Sequence, residues 1–202
     1  MTWPPYVLPR IEAASDSSGS ASPLDVSFDR GATWPKEEAA LLEGVARAAR
    51  DAARRDVLMQ ILRIDPDNGP AHNELSWLLS TGPAKLRDPA LAVIHARRAV
   101  ALVPDNHNYL NSLGAALQRA GKHEEAIQAL QNSLAQSSPE LAPYDLVFLA
   151  FAHAGLADWQ AASDYFSRTT AAIESQGHKL TPEERDELKL FLEEARALGL
   201  PR

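Results

Sequence analysis

Residues 102–130 read LVPDNHNYLNSLGAALQRAGKHEEAIQAL. Apolar residues recur at helical spacing on either side of Gly121-Lys122, so two short helices joined by a tight turn are expected. Small residues at Gly114 and Ala126 let the first helix approach the second. The large residues Leu113, Leu117 and Leu130 fill the space between one hairpin and the next.

The unit recurs. Pro66 lies in RIDPDN and Pro104 in LVPDN, and both close an apolar helical stretch. With the prolines aligned, NELSWLLSTG falls on NSLGAALQRAG, and DPALAVIHARRAVALVP falls on KHEEAIQALQNSLAQSSP. The first copy is four residues longer, in the loop PAKLRDP. A third copy, LVFLAFAHAGLADWQAASDYFSRTTAAI, carries Leu149, Ala150, Ala162 and Phe166 at the matching offsets. A recurring helical hairpin means an array, in which each unit buries its apolar face only against its neighbours.

The pattern resembles the tetratricopeptide repeat, a helical hairpin of about 34 residues. Leu113-Gly114, Leu117, Gly121, Ala126 and Leu130 occupy that family's large and small positions in the middle copy. Its closing proline is displaced to Pro139, with Ser138 in the expected place. Leu75-Ser76, Leu79, Ala92, Ala99 and Pro104 do the same in the first copy. The resemblance implies an all-α, right-handed superhelical array of antiparallel hairpins over residues 69–176. Within the class, LSWLLSTGPAKLRDPALAVIHARRAVALVP with NYLNSLGAALQRAG looks like a variety that follows serine/threonine kinase or WD-repeat regions in large bacterial proteins.

The flanks read differently. Residues 1–34, with WPPYVLP and SDSSGSASP, read as an extended or disordered arm. Residues 35–68 form a degenerate hairpin or one long helix. Counting back from Pro66 puts Leu41, Leu42 and Val45 on a first helix and Leu58, Ile61, Leu62 and Ile64 on a second. Arg54 stands where a small residue belongs, and the expected turn at Arg47–Asp51 has neither glycine nor proline. The register with Pro66 speaks for the hairpin. Residues 181–199 place Leu188, Phe191, Leu192, Ala195 and Leu198 on one face opposite a charged one, as a C-terminal capping helix requires. Its acidic first turn (Glu183, Glu184, Asp186, Glu187) suits the helix dipole.

Helix punctuation supports these boundaries. Asp88-Pro89 sets an N-cap before a proline, and Thr181-Pro-Glu-Glu184 has the form of a capping box. Gly155, Gly177 and Gly199 stand where helices are expected to stop.

The formal net charge of −7 argues against nucleic-acid binding, which needs a basic surface. There is no cysteine, which excludes disulfides, thiolate metal sites and a thiol nucleophile. MTWPPYVLPR lacks the layout of a secretory signal, and no apolar run approaches the ~20 residues of a membrane span. A cytoplasmic protein is expected, without cofactor, nucleic acid or membrane. HEEAI at 123–127 lacks the second histidine of a zinc helix, so His123 is expected at the solvated start of a helix. DPDNGP at 65–70 falls out of register for a calcium loop. FDRG at 28–31 is no kinase metal motif, and no glycine-rich phosphate loop or kinase catalytic segment is present. No catalytic residue is assigned, and the chain is read as no enzyme.

The remaining candidate is the groove lined by the first helix of each hairpin. By resemblance, the side chains facing it are Asn73, Trp77 and Ser80, then Asn108, Asn111, Gln118 and Arg119, then Tyr144, Val147 and Phe151. Asparagine offers both a donor and an acceptor to a peptide main chain, and the aromatic residues offer apolar anchors. Arg119 is nearly the sole cation there, which argues against a clamp for a chaperone's C-terminal carboxylate. The expected function is binding of a protein or peptide partner. A regulatory remnant of a bacterial kinase protein and a self-assembling structural protein are the alternatives. The arm, with Trp3 or Tyr6 as anchor, is a further candidate occupant of the groove.

Overall fold

The computed structural model describes residues 36–136, 142–176 and 179–200. They form eight helices: α1 (Lys36–Ile64), α2 (Gly69–Thr81), α3 (Pro89–Leu102), α4 (His107–Arg119), α5 (His123–Gln136), α6 (Ala142–Gly155), α7 (Trp159–Gln176) and α8 (Pro182–Ala197). The chain divides into two units, 1–43 and 44–202. Of the first, only the backbone that opens α1 is described, and the arm at 1–34 lies outside the described residues.

The second unit holds three hairpins, α2–α3, α4–α5 and α6–α7. Each first (A) helix also packs on the next A helix, and each second (B) helix on the A helix that follows, which makes an all-α solenoid of the tetratricopeptide type. The repeat positions do the packing. On the B helices, Ala92, Ala126 and Ala162 stand in register, and so do Ala99, Ser133 and Thr169, all fully buried. Leu75 and Leu149 fill the same A-helix register in the outer hairpins and are fully buried.

Gly114 faces Leu130 of α5. A Cβ at position 114 would come within 2.6 Å of Leu130 Cδ2, so the absent side chain sets the distance between α4 and α5.

The PDN repeat is a helix start. Asn68 accepts from Ala71 N at 3.0 Å, and Asn106 accepts from Tyr109 N, each closing an orphan donor of its A helix. Asp88 caps α3 in the same way, and Thr181 and Glu184 make the reciprocal bonds of a capping box.

Helix stops repeat as well. After α4, Gly121 N bonds to Gln118 O and Lys122 N to Leu117 O, which is the Schellman arrangement, and Gly121 has φ +74°. After α8, Gly199 (φ +98°) and Leu200 bond to Arg196 O and Ala195 O in the same way. After α6 the left-handed residue is Ala157 (φ 58°), not Gly155, which is the last helical residue. Gly155 serves a different contact: the His123 ring rests against it. His123 is therefore half-buried between hairpins rather than solvated. Gly177 lies outside the described residues.

Residues 36–64 form one continuous helix of 29 residues, so the degenerate hairpin is not adopted. With only alanine, arginine and aspartate at Arg47–Asp51, and no glycine or proline there, nothing breaks the ladder. Leu58 is buried and Leu62 packs beside it, while Val45 and Ile64 stay exposed. A cleft of 490 Å³ opens between α1 and the first hairpin, lined by Met59, Arg63, Leu75, Leu79 and Leu91 among others.

Candidate functional site

The A helices α2 and α6 present a continuous aromatic surface, and α4 sets Arg119 against it. Trp77 of α2 meets Tyr144 and Phe148 of α6 edge-on, each with centroids 5.8 Å apart, and Phe148 meets Phe151 at 5.7 Å. Edge-to-face geometry sets the positive rim of one ring against the negative face of the next. The Arg119 guanidinium of α4 lies over Phe148 and Phe151, 5.5 and 5.3 Å from the ring centres. The ring faces attract the cation and help hold it in place.

Helix α8 lies on this surface. Phe191 is 4% exposed and reaches Phe148 at 5.1 Å and Trp77 at 6.2 Å. Leu188 and Ala195, one turn to either side, are buried with it. The Glu187 carboxylate accepts from Trp77 Nε1 at 2.9 Å and from the Tyr144 hydroxyl at 3.1 Å. The Glu194 carboxylate takes both terminal nitrogens of Arg119, one of them at 2.8 Å. The Arg119 side chain is only 12% exposed, so this fork-to-carboxylate pair is shielded from solvent. The capping helix thus covers the A-helix face from the first hairpin to the third.

The burial has electrostatic consequences. Desolvation pushes the Glu187 carboxyl above its ordinary value, and Glu184 adds to this. The donors of Trp77 and Tyr144 and the charge of Arg54 pull it back. Burial, and then the neighbouring Glu187, raise the Tyr144 phenol, so it remains a donor.

The sequence-predicted residues divide into those that hold α8 and those that do not. Trp77, Arg119 and Tyr144 hold it directly. Phe151 is buried beneath Arg119. Asn111 donates to Asp145 at 2.7 Å and ties α4 to α6. Val147 is fully buried, and Ser80 donates to Ser76 O. Asn108 is exposed. Asn73 Oδ1, Gln118 Oε1 and Arg119 Nε are buried without a hydrogen-bond partner.

One solved structure similar to this chain is that of MamA, with 16% identity, a TM-score of 0.48, and coverage of 83% of this chain and 96% of that one. No family model matches the chain, and no curated relative matches it.

Sequence reasoning missed Phe148, Glu187, Phe191 and Glu194 as members of this surface. Glu187, Phe191 and Glu194 stand at i, i+4 and i+7, one stripe of a helix, and that spacing is the signal. Among the described residues no group of three His, Asp or Glu side chains could hold a metal ion, and no helix is long and apolar enough to cross a membrane.

Proposed function

We propose that the chain is a non-catalytic protein-interaction module whose partner docks on the A-helix groove. The carrying observation is that this groove accommodates a helix through side chains alone: a ring cluster at the centre, hydrogen-bond donors on one flank and the anchored Arg119 on the other. Grooves that take a helix this way read it by a few anchors on one face. The unpartnered carboxamide oxygens of Asn73 and Gln118 add acceptors that a bound chain would engage.

Crosslinking followed by mass spectrometry tests the reading. Crosslinks from a captured partner are expected on α2, α4 and α6. Asn73→Ala should weaken that capture about tenfold while leaving helicity unchanged, because Asn73 Oδ1 has no bond within the chain to lose. Crosslinks confined to the B helices or to the α1 cleft would refute it.

A further inference from the structure

The geometry points to α8 as a resident ligand of the groove, which an outside amphipathic helix of the same pattern displaces: a carboxylate, an aromatic residue four positions on, and a second carboxylate three further. This inference rests on the groove being the docking site.

The contacts of α8 are those of a ligand. Glu187 bonds side chains from α2 and α6 at once, and Glu194 pairs with α4, so one helix touches all three A helices. Its backbone needs nothing from the array. Thr181 and Glu184 close its first turn, and the Schellman bonds of Gly199 and Leu200 close its last. Side chains on one stripe therefore carry the attachment, as in a helix lying in a groove. The opposite face, with Arg185, Asp186, Lys189 and Glu193, is exposed.

The seat also leaves room for a better occupant. Asn73 Oδ1, Gln118 Oε1 and Arg119 Nε, on the helices that carry Trp77 and Arg119, are buried and unpartnered. A partner helix with donors facing α2 and α4 satisfies the first two, which α8 does not. Such a partner has to compete with a tethered helix whose effective concentration is in the millimolar range. The surplus contacts are what let it win.

The test uses the full chain and a labelled peptide of residues 179–200, KLTPEERDELKLFLEEARALGL, followed by fluorescence anisotropy. The parent should bind the peptide weakly. Phe191→Ala and Glu194→Arg in the full chain should each tighten binding at least tenfold, because the competent fraction of open groove rises. Arg119→Glu should abolish binding of the parent peptide and accept a peptide carrying Glu194→Arg. Glu194 is 34% exposed, so its variant keeps the fold even where Phe191→Ala does not. Equal peptide affinity for the parent and the Glu194→Arg chain, with helicity retained, overturns the inference. So does a dimer of the parent that grows with concentration and is lost in Glu194→Arg, since α8 would then be exchanged between copies. If Asn73→Ala weakens partner capture while the α8 variants change nothing, the groove reading stands and this one falls.

Discussion

Replacing Gly114 with alanine sets two effects of opposite sign against each other. In an exposed helix the change would stabilise by ~1 kcal/mol, because glycine has more backbone freedom to lose. In α4 the added Cβ lies 2.6 Å from Leu130 Cδ2, and Leu130 is fully buried, so it has nowhere to turn. Forcing such an overlap costs about 1–3 kcal/mol. Packing wins, with a net loss of about 1 kcal/mol. Urea unfolding should show a lower midpoint at unchanged slope, and the melting temperature should fall by about 2–4 °C. The same substitution in a Leu130→Ala background should be stabilising, since the obstacle is gone. A Gly114→Ala chain that gains stability equally in both backgrounds refutes the close approach of α4 and α5.

Ala157 occupies the left-handed stop that Gly121 occupies one repeat earlier. Ala157→Gly should stabilise by about 1 kcal/mol and Gly121→Ala destabilise by a similar amount; matching signs in thermal melts would overturn the equivalence. The His72 and His95 rings are joined Nδ1 to Nδ1 at 2.8 Å, and His72 Nε2 faces Pro66 O at 2.9 Å, so one proton serves the shared bond. Burial, and then the charge of His72, lower the folded-state pKa of His95 below 6.5. The unfolded chain then binds more protons. Stability is full above pH 6.5 and is lost as pH falls from 6.5 through the folded value. His95→Asn, which keeps a donor in place of the ring nitrogen, should flatten that loss; an unchanged pH profile would show that the pair does not control it.

The hairpins were legible because their signals are local. PDN caps, helix periodicity and Gly121 each act within a few residues, and the small positions recur in phase. Ala157 was not legible, because the bonds that stop α6 hold a residue that seldom adopts that conformation. Of the two readings of residues 35–68, the long helix is the one adopted: register with Pro66 spoke for a hairpin, but without turn residues at Arg47–Asp51 helix propensity prevails. Of the candidate site, Trp77, Arg119 and Tyr144 could be placed by repeat register, which fixes which helix face they share. What covers them could not be read that way. Glu187 meets Trp77 across 110 positions of sequence, and its acidic turn reads equally well as dipole compensation.

A linear stack of hairpins has only neighbour-to-neighbour contacts, so it can fray from either end while the middle survives. In this chain α8 returns along the stack. It bonds the first hairpin through Trp77, the second through Arg119 and the third through Tyr144. That return path turns an open row into a closed circuit. The first hairpin cannot melt without releasing Glu187, and release of Glu187 loosens the hold on the third. Terminal units that would open independently are thereby drawn into a single cooperative transition, at the cost of slower closure of a long loop during folding.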